Sequence, residues 1–396
     1  MPQIVFVADD AIHPVTSGGR LELLGELRAL AAAGAAVHLV AFHREPVSVD
    51  DRRRTTALVA SAQYIRRRGF AAATIGRPAQ PFQLSSRLLP ASVVNEIVRA
   101  RRGRVDAVFA SHEWTVPAAR RLASALGRVP ILLRSHNDEV AYYRSLAEHA
   151  QGAKRLYLQL ESRRIERAAQ RGELCRGVSA IAVISAADLA AYVDSGVPTS
   201  VVPPTFDLGA PKIRPEPLRE RAIGFVGALD SSHTEQGLRW FIEEVFAALH
   251  LEDPTTRLLV AGRRAGPTLR QLLDETPGVV FLGEVDDAAE VYGRSRVFVN
   301  PIFSGSGVNM KIGPPIAHGL PVLTTTIGAR GMSSLLPALT VADDAPRMRA
   351  RLSFLLRDDD LCRELSAVGA ALLRSHRPEQ TGRLFLRVIE MMGETT

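Results

Sequence analysis

Short runs that are apolar at every position alternate along the chain with longer segments whose apolar residues recur at helical spacing. Ile4-Val5-Phe6-Val7 reads as a buried strand. Leu21, Leu24, Leu27 and Leu30 then mark a helix that Gly34 ends. Val37–Val40 is the next strand. The same pattern predicts strands at 71–75, 106–110, 129–133, 181–184 and 200–202. It places helices at 50–68, 85–102 and 116–127, and one long helix over 138–171. Strands that are apolar throughout are covered on both faces, as in parallel sheets, and strand–helix alternation gives a doubly wound α/β architecture.

The texture changes at 203–221, where Pro203, Pro204, Pro211, Pro215 and Pro217 stand among charges. This is a linker. The alternation then restarts, with strands at 222–226, 257–261, 278–282, 296–300 and 321–324, and a last helix at 378–392. The expected organisation is an N-terminal domain over 1–205, a second over 206–377, and a C-terminal segment 378–396 that returns to the first. Doubly wound sheets bind ligands at the carboxyl ends of their strands. Two such halves facing across a cleft suit a phosphate-containing ligand gripped by both.

Composition narrows the function classes. The 396 residues leave room for two domains. At 46% hydrophobic and 23% charged, the chain is neither disordered nor collagen-like. No apolar stretch approaches the roughly 18 residues of a membrane span, and the N-terminus lacks a signal-peptide pattern. Cys175 and Cys362 are too few for a disulfide framework, so a cytoplasmic location is expected. The net charge is +7, and only Lys154, Lys212 and Lys311 among the 49 basic residues are lysines. Arg52–Arg54, Arg66–Arg68 and Arg101-Arg102 read first as solvated helix ends. Without interleaved aromatics or a nucleic-acid motif, no nucleic-acid partner is expected. Attraction to phosphates, and peripheral contact with an anionic membrane, stay open.

Several segments at predicted strand ends carry candidate chemistry. Ser17-Gly18-Gly19 precedes the first helix, where two glycines let a ligand approach free N–H groups; a plain turn explains them equally well. Arg134-Ser135-His136-Asn137-Asp138-Glu139 follows a strand. Helix capping accounts for Asn137 or Asp138 but not for His136, which is assigned a function. The stretch Asn300–Lys311 ends a strand and carries Gly305, Ser306, Gly307, Val308 and Asn309 before Lys311, a pattern suited to holding an anion. Gly227 closes another strand, and Arg330 lies in Gly328-Ala329-Arg330-Gly331. Glu161 and Glu166, flanked by arginines, read as a solvated ion-pair face. No metal-ligand spacing is present.

Taken together these residues resemble the GT-B glycosyltransferases, in particular the retaining, family-4-like bacterial sugar transferases. The matching segments keep their order along nearly the whole chain. They include Ser17-Gly18-Gly19, Arg134-x-His136-Asn137-x-Glu139, Glu161, Pro203-Pro204, Phe225-Val226-Gly227, Leu282-Gly283-Glu284-Val285, Gly305-Ser306-Gly307, Lys311 and Gly328-Ala329-Arg330-Gly331. The resemblance implies two Rossmann-like domains. The C-terminal one would hold a nucleotide-diphosphate sugar and the N-terminal one the acceptor, with no separate cofactor and no metal. Gly283 and Val285 would lie along the base. Gly305–Gly307, with Val308 and Asn309, would approach the phosphates and the transferred sugar. Gly18 and Gly19 would close on the diphosphate, and His136 would hydrogen-bond the sugar. Lys311 and Arg330 would be the phosphate cations.

One departure stands out. The glutamate that usually binds the ribose is replaced by Pro314, within Gly313-Pro314-Pro315. A proline inside a helix costs about 3 kcal/mol, so the helix is expected to restart with Pro314 or Pro315 in its first turn. This departure motivates a rival reading as a degenerate GT-B protein that binds a glycan or partner without catalysis. Sugar-nucleotide epimerisation is a second rival. The acceptor is not readable: a small molecule, a glycan or a lipid-linked molecule all remain.

Overall fold

The computed structural model describes residues 1–15, 17–75, 77–101, 105–206, 221–285, 287–304 and 308–394. The chain divides into two compact units, Met1–Asp207 with His376–Thr396, and Leu208–Ser375. The linker positions 207–220 lie outside the described residues.

The first unit is built on seven parallel strands: β1 (Gln3–Ala8), β2 (Ala36–His43), β3 (Ser61–Arg66), β4 (Ala107–Ser111), β5 (Ile131–Ser135), β6 (Ala180–Val183) and β7 (Thr199–Val201). Their order is β3-β2-β1-β4-β5-β6-β7. The second unit has six: β8 (Ala222–Val226), β9 (Arg257–Ala261), β10 (Val279–Gly283), β11 (Val297–Asn300), β12 (Val322–Thr324) and β13 (Leu339–Val341), in the order β10-β9-β8-β11-β12-β13. Strand order reverses between β1 and β4 in one sheet and between β8 and β11 in the other. Those two switch points are where doubly wound sheets open a crevice at their carboxyl edge.

Central strands are buried on both faces, as their sequences require. Phe6 of β1 stacks on Phe109 of β4 at 4.8 Å, and Phe385 meets Phe109 edge-on at 5.2 Å. Phe385 lies on the last helix, Pro378–Glu394, which packs on the helix Gly18–Ala32 within the first unit. The contact is close because Gly382 has no side chain: a Cβ there would lie 2.0 Å from the Ala29 carbonyl oxygen.

Four expected elements are corrected. The third strand is Ser61–Arg66, not 71–75, which lies over the helix Phe70–Thr74. β3 is a half-buried edge strand, so its Ser-Ala-Gln-Tyr-Ile-Arg carries no continuous apolar run, whereas the alanine-rich 71–73 favours helix. The expected helix 50–68 accordingly stops at Thr56. The helix expected over 85–102 is divided at Pro90 into Phe82–Ser86 and Ala91–Arg101. The long helix 138–171 is two, Glu139–His149 and Gly152–Gln170, because Ala150 and Gln151 are extended. β13 was not anticipated.

Gly382→Ala tests the helix contact. Alanine would favour a helix interior by about 1 kcal/mol, but the added carbon meets backbone, which cannot rotate away. Overpacking of about 1–3 kcal/mol should dominate, and thermal unfolding of the full chain should show a melting temperature lower by several degrees. An unchanged or higher melting temperature would show that the helices separate without cost.

Candidate functional site

In the first unit, the ends of β4 and β5 meet one face of the helix Gly18–Ala32. Glu22 and Glu26 sit one turn apart on that helix and are both buried. Arg134, at the end of β5 and fully buried, donates to Glu22 Oε1 at 2.7 Å and faces Glu26 Oε1 at 3.4 Å. His136 Nε2 lies 2.7 Å from Glu26 Oε1, and Ser111 at the end of β4 donates to Glu26 Oε2 at 2.5 Å. Ser17 caps the helix by accepting from the Arg20 N–H at 3.3 Å. Gly18 and Gly19 are its first two residues, exposed and with open space around them.

A second buried cluster adjoins the first. His112, held at φ +87°, places Nδ1 2.8 Å from Glu113 and Nε2 3.2 Å from Glu139. Such a backbone angle is unusual for a residue with a side chain, and strain of this kind clusters at functional sites. Tyr192 donates to Glu113, and its hydroxyl oxygen lies 3.0 Å from Ser135 Oγ. The rings of His112 and His136 meet edge to face at 5.2 Å. Across the β1 end, Asp9 pairs with Arg87 at 3.4 Å and with Arg67 at 3.8 Å.

Burial disfavours the charged forms of His136, His112 and Glu113, but pairing outweighs it in each. Burial lowers the His136 pKa, yet Glu26 raises it above the ordinary imidazole value. Burial likewise opposes charge on His112, yet Glu139 and Glu113 hold it well above that value. Burial raises Glu113, but the His112 imidazolium brings it down to about 2. Glu22 goes the other way. Burial pushes it up, Arg134 pulls it down, Glu26 pushes it up again, and the net shift is upward. Among the described residues, His112, Glu113 and Glu139 form the one group whose ligand atoms lie close enough, within 4.8 Å, to hold a metal. Both His112 nitrogens already face carboxylates, so a ring proton supplies the positive charge a metal would bring.

The second unit solves its carboxyl edge differently. Gly227, Gly262 and Gly283 end β8, β9 and β10. Gly227 N–H donates to the Ala261 carbonyl at 3.0 Å, and Gly262 N–H to the Gly283 carbonyl at 2.8 Å. A Cβ at Gly262 would lie 2.1 Å from the Gly227 carbonyl oxygen, and Gly283 has φ +70°. Lys311 is half-buried against this edge: a Cβ at Gly227 would lie 3.2 Å from its Nζ. Its ammonium donates to Thr234 Oγ1 at 3.0 Å. No carboxylate among the described residues pairs with it, and burial lowers its pKa to about 8. Thr234 stands in the first turn of the helix Ser232–Phe241. Gly237 brings that helix onto the loop after β11, where a Cβ would lie 1.8 Å from the Pro301 carbonyl oxygen.

Asn300, at the end of β11, organises the rest of this edge. Asn309 donates to its Oδ1 at 3.2 Å, and its own amide donates to Thr324 at 3.0 Å. Asn309 also accepts from the Lys311 N–H at 3.3 Å. Val308 packs under Gly331, where a Cβ would lie 2.4 Å from Val308 Cγ2. Arg330, beside it, is exposed. The short helix Gly313–Ala317 has Pro314 and Pro315 in its first turn, where a missing N–H costs nothing.

Gly227, Gly283, Val308, Asn309, Lys311 and Arg330 thus lie along one sheet edge of the second unit, with Val285 two residues past Gly283. Gly305, Ser306 and Gly307 lie outside the described residues. Gly18 and Gly19 open the helix that holds His136 in the first unit. Asp138, not Asn137, caps the following helix, accepting from Ala141 N–H at 3.0 Å, while Asn137 donates to Glu139. Glu161 corrects an expectation: it is buried, accepting from the Phe82 N–H and from Arg164 at 3.2 Å. Glu166 does form an exposed pair, with Arg144. Arg67, expected as a solvated charge, is tied to Asp9 and Asp10. Sequence reading missed Glu22, Glu26, His112, Glu113 and Tyr192. Two signals were present: a Glu-x-x-x-Glu pair on the leucine face of the first helix, and Ser111-His112-Glu113 directly after a predicted strand.

Residues 220–358 match the family model described as Glycosyl transferases group 1. A Klebsiella pneumoniae protein described as an uncharacterized 44.6 kDa protein in the cps region is 24% identical over 341 residues, covering 84% of each chain. Among solved structures, Anabaena HepE in complex with UDP and glucose superposes with a TM-score of 0.67 at 15% identity, covering 99% of this chain and 100% of its own. Sucrose-phosphate synthase from Thermosynechococcus elongatus superposes with a TM-score of 0.65 at 17% identity, covering both chains fully. With its two parallel Rossmann-like sheets the chain has the GT-B fold, and residues 220–358 of its second unit form a domain that matches the group 1 glycosyl transferases.

Proposed function

We propose that the protein is a retaining glycosyltransferase that moves a sugar from a nucleotide-diphosphate donor to an acceptor hydroxyl. The observation that carries this reading is Lys311, a half-buried ammonium with no carboxylate partner among the described residues. It stands at the carboxyl edge of the unit that matches the group 1 family. A buried cation left without a counter-charge is poised for an anion from outside. HepE is described with UDP-glucose, so a UDP-sugar is the first donor to test.

In this reading the unit Leu208–Ser375 holds the donor. Gly227, Gly283 and Val285 line the nucleotide, and Gly305, Ser306, Gly307, Val308 and Asn309 line the phosphates and sugar. The acceptor oxygen bonds to the anomeric carbon as the bond to the donor phosphate breaks. That phosphate oxygen takes the acceptor's proton, and Lys311 and Arg330 stabilise the departing diphosphate charge. No protein nucleophile is assigned. His136 serves the transferred sugar. Its Nε2 is engaged by Glu26 and Ser111, so Nδ1 is the nitrogen left to bond a sugar hydroxyl. No resident metal is assigned, because the His112 cluster is charge-compensated internally. Among the described residues no helix is long and apolar enough to cross a membrane. We assign a cytoplasmic location and leave the acceptor as a small molecule, a glycan or a lipid-linked molecule.

Lys311→Ala should weaken UDP-sugar binding by about 1.5–3 kcal/mol in calorimetry while leaving the melting curve in place. The pH dependence has a definite sign. Lys311 loses its proton as the pH rises through about 8, so wild-type affinity should fall on the alkaline side. Lys311→Arg, which keeps its charge, should lose that dependence. Unchanged affinity in Lys311→Ala would return Lys311 to a structural role.

His136→Ala should act on turnover rather than on nucleotide capture. We expect kcat to fall by at least about tenfold, equivalent to roughly 1.4 kcal/mol of barrier, with little change in the affinity for UDP alone. Wild-type turnover in the variant would leave His136 as a structural partner of Glu26.

A further inference from the structure

A cavity of the first unit lies at the opposite edge of its sheet from His112 and His136. It is a trough of about 990 Å³ across the amino ends of β5, β6 and β7. One wall is a single face of the helix Val116–Ala125, carrying Arg120 and Arg121. The other is the end of the last helix, with Val388, Met391 and Met392. The lining includes Arg128 as a third arginine and contains no aspartate or glutamate among the described residues.

The arginines are positioned. Arg120 lies over Gly177, where a Cβ would sit 3.3 Å from its Nε, so the glycine makes room for the guanidinium. Arg128 has φ +65°, and its N–H is fixed to the Ala123 carbonyl at 2.8 Å. Arg121 donates to the Leu89 carbonyl at 2.8 Å. Neither Arg120 nor Arg128 has a carboxylate partner among the described residues. The apolar side is equally specific: Val388 and Met392 are buried, while Met391 stands at the rim with 56% of its surface exposed.

Charge and volume together select the ligand. Two guanidiniums, Arg120 and Arg128, with no carboxylate partner among the described residues call for phosphate, which arginine binds in bidentate fashion. A trough at the upper end of the roughly 300–1,000 Å³ of organic ligand sites is far larger than one phosphate needs. Its valine and methionines suit a flexible hydrocarbon. The lining has no aromatic ring on which a base could stack. We propose that this trough binds an anionic phospholipid at a bilayer surface, its phosphate on Arg120 and Arg128 and part of an acyl chain over Val388, Met391 and Met392. Held this way, the unit keeps the carboxyl edge of its sheet turned from the lipid. The assignment is independent of the donor site on the other unit.

The test is sedimentation of the full chain with phosphatidylcholine vesicles, with and without phosphatidylglycerol. Binding should require phosphatidylglycerol. Arg120→Glu/Arg128→Glu should weaken it by at least about tenfold, since each basic residue near an anionic surface contributes measurably. Met391→Gln should weaken it severalfold. A charge-matched control on the exposed helix Val49–Thr56, Arg53→Glu/Arg54→Glu, should stay within about twofold of wild type, the difference a specific phosphate contact requires. Circular dichroism melting checks each fold, and Arg120→Gln/Arg128→Gln replaces the double glutamate variant if that one is destabilised. Three results would overturn the proposal: no sedimentation with phosphatidylglycerol, equal sedimentation with phosphatidylcholine alone, or equal losses in the two double variants, which would make the attraction one of net charge.

Discussion

The first unit depends on keeping charge neutral where no water reaches. Arg134 is fully buried, and a guanidinium in that position is tolerable only with its counter-charge in contact. Glu22 supplies it. Glu26, one turn further along the same helix, faces both Arg134 and His136, so the helix is pinned by two cations from one strand. Removing either carboxylate would strand a buried positive charge, which costs more than the pair itself contributes. The same pinning sets the start of the helix, where Gly18 and Gly19 are exposed. Charge compensation in the core thereby fixes the geometry of the carboxyl edge of this sheet.

The second unit has the complementary design. Three of its strands, β8, β9 and β10, end at Gly227, Gly262 and Gly283, which pass close to one another and leave backbone in place of side chains at that part of the edge. The ammonium that approaches this edge, Lys311, is given a hydroxyl from Thr234 and no carboxylate among the described residues. Burial without pairing lowers its pKa, whereas burial with pairing raises those of His112 and His136. The directions of these shifts separate cations whose carboxylate partner is built into the protein from one that has none among the described residues. That contrast is the physical reason for assigning the anion to the second unit.

Much of this was readable from the chain. Central strands such as Ile4–Val7 and Ala222–Val226 are buried on both faces and announce themselves as apolar runs. β3 did not, because an edge strand needs only partial cover and Ser61–Arg66 is mixed in character. The ends of β5 and β11 were found by one rule, that polar residues after a buried strand face a crevice. The same rule applied to Ser111-His112-Glu113 points to the second histidine. Glu22 and Glu26 were invisible for a different reason. A carboxylate on a leucine-lined helix reads as the polar face until a buried arginine more than a hundred residues away is placed against it.

Pro314 shows how local physics and function part company at one position. A helix interior would reject it, yet the chain places a three-residue turn, Met310–Ile312, before it and starts a new helix at Gly313. The proline then stands where no N–H is required, and its carbonyl accepts from both the backbone N–H and the ring of His318. The backbone is therefore fully accommodated, and no strain records the loss of a carboxylate. What changes is chemical: the side chain at this place can neither accept a hydrogen bond nor carry charge. Selectivity along this part of the edge must then rest on backbone groups and on Asn309, which Asn300 holds in position, while Lys311 supplies the charge. In the proposed reading, a site built this way would recognise the diphosphate more strongly than the sugar ring attached to the base.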